Sequence, residues 1–132
     1  MEFYLEKRNG VAPYMQLVLQ VKQALRLGLL MPGDQLPTVR EVMTQIAINP
    51  NTVFKAYREL EHEGLVESRP GLGTFVLKSL VHPSLDHQEE LRNDLLQWLQ
   101  RALQSGLDTE SIEALFIATL QQVQKAVLHP ET

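Results

Sequence analysis

The stretch Leu36-Pro-Thr-Val-Arg40, continued through Asn49-Pro-Asn-Thr-Val53 to Tyr57, decides how the chain folds. Thr38 is a good helix N-cap, and Glu41 three residues later completes a capping box. Val39, Val42, Met43 and Ile46 then mark the buried face of a helix from Val39 to Ala47. Ile48 packs inward at a turn. Asn49 caps a second helix and Pro50 takes its first position, where a missing N–H costs nothing. That helix runs from Pro50 to His62 with Val53, Ala56, Tyr57 and Leu60 as its inner stripe. Two short helices joined by a tight turn, the second opening on polar residues, make a helix-turn-helix.

Upstream, Pro13 starts a helix with Tyr14, Leu17, Val18, Val21 and Leu25 on one face, spaced i, i+3, i+4, i+7. Gln16, Gln20, Lys22, Gln23 and Arg26 are assigned to its other faces. Gly28 ends it, and Pro32-Gly33-Asp34 forms a turn. Ahead of it, Phe3-Tyr4-Leu5 is a short strand or an arm, followed by a turn signal at Asn9-Gly10. Downstream, Gly64 stops the helix that began at Pro50. Leu65–Arg69 and Thr74–Lys78 are two strands joined by Pro70-Gly71-Leu72-Gly73. Two strands are marginal alone and must lie against the helices. Next to a helix-turn-helix they form a wing; otherwise they are a plain hairpin with turn glycines.

Residues 79–84 are a linker containing Pro83. Beyond it, Leu91, Leu95, Trp98, Leu99 and Ala102 form one helical stripe, and Gly106 breaks it. Asp108-Thr109 restarts a helix with Ile112, Leu115, Phe116, Thr119, Leu120, Val123 and Val127 inward, and Pro130 lies past its end. Two such helices cannot bury both stripes against each other alone. A second copy of the chain is the favoured cover. The expected class is mainly α (α+β): a winged helix-turn-helix over 1–79, then a two-helix dimerisation hairpin over 80–132.

Composition sets the limits. Hydrophobic residues are 44% and charged residues 21% of the 132, an ordinary globular balance. With no cysteine, disulfides and thiolate metal sites are excluded. The start lacks a signal-peptide pattern, and no apolar run approaches the ~18 residues that cross a bilayer, so a soluble cytoplasmic protein without a membrane partner is expected. The net charge is −4, against the habit of nucleic-acid binders. It is uneven: residues 1–79 hold nine Lys or Arg against eight Asp or Glu, and 80–132 hold three against eight. A near-neutral head binds DNA if its few cations face one way, with weak non-specific affinity. Nothing suggests an enzyme. There is no phosphate loop, no nucleophile with a base, and no metal-ligand spacing among His62, His82, His87 and His129. No catalytic residue, metal or cofactor is expected.

On the recognition helix, Asn can pair with adenine, Thr with a phosphate or a thymine methyl, and Lys with phosphate or guanine. As isolated residues Asn51, Thr52 and Lys55 are ordinary solvated positions. Arg40 sits in a first turn, where a cation opposes the helix dipole. It is either solvated or waiting for an anion.

At Leu36-Pro-Thr-Val-Arg40, Asn49-Pro-Asn-Thr-Val53, Glu63-Gly-Leu65 and Gly71-Leu-Gly-Thr-Phe-Val76 the chain resembles the GntR family of bacterial transcription regulators. All four motifs match in order and spacing, and the resemblance covers residues 11–78. The short tail is similar to that of the YtrA subfamily, in which two C-terminal helices dimerise. The resemblance implies a repressor bound as a homodimer to a double-stranded DNA operator. It places Thr38 and Arg40 on DNA, Asn49, Asn51, Thr52 and Lys55 in the recognition region, and Arg69, Gly71, Gly73 and Thr74 on the wing. Taken with the apolar stripes read above, this gives an expected dimer interface of Leu91, Leu95, Trp98, Leu99, Leu115, Phe116, Leu120 and Val123. A small-molecule effector has no pocket in the sequence beyond the cleft between paired tails. Family members often carry Glu at Val39 and Arg at Pro50 or Phe54, so no contact is carried over from those three positions. The rival reading is a winged-helix protein-interaction module that does not bind DNA.

Overall fold

Helix α1 (Pro13–Arg26) starts where Pro13 fixes the first turn, and it buries Leu17, Val18, Val21 and Leu25 completely. In this computed structural model, which describes residues 1–7, 10–83 and 88–128, the chain divides into two compact units, Met1–Leu85 and Asp86–Thr132. The turn expected at Asn9, the histidines His87 and His129, and the stop at Pro130 lie outside the described residues.

In the first unit, α1 packs on α3 (Pro50–His62), and α2 (Val39–Gln45) packs on α3 from the other side of the turn. The inner stripe of α3 is Val53, Ala56, Tyr57 and Leu60, as its spacing predicts. Helix α2 stops at Gln45, two residues short of the expected end, because Ile46 is already extended. Of its four expected core residues, Val42 is fully buried and Val39 and Ile46 are half-buried. Met43 is 47% exposed, which corrects its assignment. A seven-residue helix makes barely two turns, so its inner face has room for little more than one central side chain.

Strands β1 (Val66–Arg69) and β2 (Gly73–Val76) pair antiparallel, with Val66 opposite Val76 and Arg69 opposite Gly73. A third backbone segment covers the other edge of β2. Leu36 N donates to Thr74 O at 2.9 Å, Val76 N to Asp34 O at 2.8 Å, and Gly33 N to Val76 O at 2.9 Å. Thus the segment leading into α2 is stitched to the wing, and the hairpin gains the support that two strands lack.

The N-terminus is an ordered extended segment tied down by three glutamine amides, each of which accepts from one backbone N–H and donates to a backbone carbonyl. Gln45 Oε1 accepts from Phe3 N at 2.8 Å and its Nε2 donates to Met1 O at 3.2 Å. Gln20 holds Tyr4 N and O in the same way, at 3.2 and 2.8 Å. Gln16 accepts from Glu6 N and donates to Glu6 O and Val11 O, each at 2.9 Å. The amide copies a neighbouring peptide group, so a side-chain ladder replaces a strand. Phe3 is thereby buried in the core. Gln16, expected on an outer face, is 6% exposed, and its amide is satisfied.

The second unit consists of α4 (Gln88–Gln104) and α5 (Thr109–Leu128), turned at Gly106. Asp108 Oδ1 accepts from Ser111 N at 2.8 Å and caps α5. That hydrogen-bonding to Ser111 holds its carboxyl below the usual range. Ala102 and Ile112 are the buried residues of the two helices. Much of the remaining apolar stripe is open: Leu95 is 41%, Phe116 45% and Val123 53% exposed. Among the described residues no helix is long and apolar enough to cross a membrane.

Candidate nucleic-acid interface

The N-terminus of α2 is built by reciprocal bonds. Thr38 Oγ1 accepts from Glu41 N at 3.1 Å, and Glu41 Oε1 accepts from Thr38 N at 3.2 Å. The threonine oxygen is engaged, but its O–H still has a proton to donate. Arg40 is exposed in the same turn and has no ion-pair partner among the described residues. The helix dipole works against a cation here.

Tyr57 anchors this turn to α3. Its buried hydroxyl donates to Pro37 O at 2.5 Å, across twenty residues of sequence. Burial, with the charge of Glu41 nearby, pushes the phenol far above its usual pKa. Tyr57 therefore stays neutral and keeps its proton as a donor. Replacing it with Phe strands the Pro37 carbonyl and should cost about 1–3 kcal/mol in chemical denaturation. The sign with pH follows from the raised value. The native state holds the proton that the unfolded chain releases, so stability is flat below about pH 10 and falls above it. The Phe variant should lack that component of the alkaline loss.

On α3, Asn49 Oδ1 accepts from Asn51 N at 2.8 Å, so that acceptor is used in capping. The outward stripe is Asn51, Phe54, Lys55 and Arg58, while Thr52 is half-buried. Lys55 Nζ lies 4.0 Å from the centroid of the Tyr14 ring, which orients the ammonium by cation–π attraction.

The wing tip turns at Gly71 and Gly73, both at positive φ (74° and 124°). Gln35 Nε2 donates to Leu72 O at 3.2 Å, and a Cβ on Gly73 would stand 2.4 Å from that nitrogen. Gly73 is thus favoured by its conformation, and any side chain there would have to displace the end of Gln35 from Leu72 O. Arg69 lies along the strand, with Nε 3.2 Å from Glu67 Oε2 and its guanidinium carbon 4.5 Å from the Phe75 ring centroid.

These parts enclose an open groove of about 470 Å³ between the start of α2, the side of α3 and the wing. Of the residues singled out by sequence, Thr38, Arg69, Gly71, Gly73 and Thr74 line it. Arg40, Asn49, Asn51, Thr52 and Lys55 lie outside its lining. The groove also holds Phe54, Arg58 and Leu72, absent from the sequence-derived set, although Phe54 and Arg58 share the spacing of Asn51 and Lys55. Glu61 is there too, with Oε2 accepting from Ser68 N at 2.6 Å. That bond fixes the carboxylate, whose negative charge offsets part of the field of Arg58 and Arg69.

In the second unit a separate groove of about 370 Å³ is lined by Leu95, Trp98, Leu115, Phe116, Thr119, Leu120 and Val123. It unites six of the eight residues expected at a dimer interface. Leu91 and Leu99 do not line it.

Three comparisons bear on these surfaces. Residues 13–76 match the bacterial regulatory proteins of the gntR family. The chain is 35% identical to the HTH-type transcriptional repressor YtrA of Bacillus subtilis over 82% of this chain and 84% of that protein. Among solved structures, YtrA of Sulfolobus acidocaldarius, a GntR-family transcription factor, superposes with a TM-score of 0.52 at 28% identity, covering 92% of this chain and 99% of that one. The DNA-binding domain of AraR, solved in complex with operator ORX1, superposes at 0.51 with 27% identity over 58% of this chain and 94% of its own.

Proposed function

The chain belongs to the GntR family of bacterial regulatory proteins, and from this we propose that it is a repressor acting as a homodimer on a pseudo-palindromic DNA operator in the cytoplasm. One observation carries the reading: the groove that joins the start of α2, the outward side of α3 and the glycine wing is lined by Thr38, Arg58 and Arg69, and Arg40, exposed in the first turn of α2, has no ion pair among the described residues. A cation held against a helix dipole gains most from an external anion, and duplex DNA supplies phosphates and guanine edges. The repressor name of the Bacillus relative and the operator bound to AraR support the same reading. The tail groove supports the dimer, since its exposed Leu, Phe and Val lining is better covered than solvated. Two recognition helices would then enter successive major grooves about one helical turn apart.

Gel-shift titration of the full chain on its operator tests the assignment. Arg40→Ala should cost on the order of 1–3 kcal/mol if the guanidinium pairs with a base. Lys55→Ala should weaken binding and lower the salt dependence. If both variants fold and bind with unchanged specific affinity, the site is misplaced. The net charge of −4 favours the rival, a protein-interaction module. Affinity for DNA that does not fall with salt would support that rival.

A further inference from the structure

Phe54 does not fit the chemistry of its neighbours. On α3 it lies one turn from Asn51 and one turn from Arg58, next to Lys55, yet it is apolar and 51% exposed. The residues around it leave the groove open: Pro37, Thr38 and Val39 on one side, the wing on the other. The surrounding charge says what covers it. Arg58 and Arg69 line the groove against the single acid Glu61, with Arg69 also near Glu67, and Lys55 follows Phe54 in the chain; the lining is thus net positive, and the fitting partner is a polyanion with an apolar spot on its surface. In the major groove of a DNA duplex that spot is the C5 methyl group of thymine.

We propose that Phe54 is a specificity-determining residue that packs on a thymine methyl in each operator half-site. The proposal rests on the DNA-binding reading above and adds to it a base preference carried by the apolar residue of the face. It needs no bend or wedge in the duplex, because the ring is carried on a helix that enters the major groove.

The test uses the full-length protein and a pool of duplexes with a random centre. The enriched duplex is resynthesised with deoxyuridine in place of thymidine, one position at a time. This removes the methyl and leaves base pairing intact. At one position per half-site the wild type should lose about fourfold in affinity, the weight of one buried methyl, and roughly fifteenfold when both half-sites are changed. F54A should bind the thymine and uracil duplexes equally, and F54L should keep a smaller preference. Phe54 is half exposed, so both variants should fold, which circular dichroism checks. If the wild type enriches a duplex but is indifferent to uracil at every position, Phe54 does not read a methyl. The same follows if F54A retains the full uracil penalty. If no duplex is enriched at all, DNA binding fails, and this proposal with it.

Discussion

A chain ended at Leu85 is expected to stay folded, sediment as a monomer, and bind operator DNA on the order of 10²–10⁴-fold more weakly than the full chain. The reason lies in two separate sets of contacts. The first unit has its own core, in which Leu17, Leu25, Leu36, Leu60, Val42 and the valines of α1, α3 and the hairpin are sealed from water. Nothing in that core comes from residues 88–128. The tail carries the exposed Leu95, Phe116 and Leu120 beside the half-buried Trp98, which are the groups that would hold two copies together. Removing it should leave each DNA-reading face intact but deprive the second half-site of the high local concentration that a tethered partner supplies. The cut must fall after the linker. Leu80 packs against the core, and Val81 Cγ2 would touch a Cβ on Gly28 at 3.6 Å, so a chain ended at Lys78 would lose stability as well as its partner. Analytical ultracentrifugation beside gel shift separates the two effects. A full-length protein that is monomeric at micromolar concentration would remove avidity from the mechanism.

The packing of Leu80 shows where sequence reading succeeds and where it runs out. Signals confined to a few neighbouring residues were legible. The Thr38–Glu41 capping box, the Asn49 cap with Pro50 behind it, and the inner stripe of α3 all form as their spacing predicts. Features that depend on a distant partner were not. Gln16 and Gln20 look like surface residues until the N-terminal segment is laid beside them, and Gln45 bonds Phe3 across 42 positions. Gln35 braces the wing across 37 positions, and Tyr57 holds Pro37 across 20. A linker with Pro83 in it gives no local sign that Leu80 is packed. The candidate interface divides the same way. Hydroxyl, amide and glycine positions follow from motif and turn chemistry. Phe54 reads as a residue out of place until the groove around it is seen.

Leu60→Ala should produce the other large effect, and it separates loss of fold from loss of contact. Leu60 is fully buried on α3, and its carbonyl accepts the backbone bond from Leu65 N at 3.0 Å that carries the chain into β1. Removing most of the side chain leaves a cavity among packed neighbours, at a cost of about 2–5 kcal/mol. Domains of this size are stable by only about 5–15 kcal/mol, so a large share of the margin goes. The melting temperature of the first unit should fall by on the order of 10–30 °C. DNA affinity should fall on warming because fewer molecules are folded, and it should recover on cooling within the folded range. Arg40→Ala is expected to behave in the opposite way, with an unchanged melting curve and a loss of specific affinity that cooling does not restore. Thermal unfolding by circular dichroism, with gel shifts at two temperatures, distinguishes them. A Leu60→Ala variant that melts like the wild type would mean that α3 is held by something other than its apolar stripe. A melting drop in Arg40→Ala would move that residue from the interface to the scaffold.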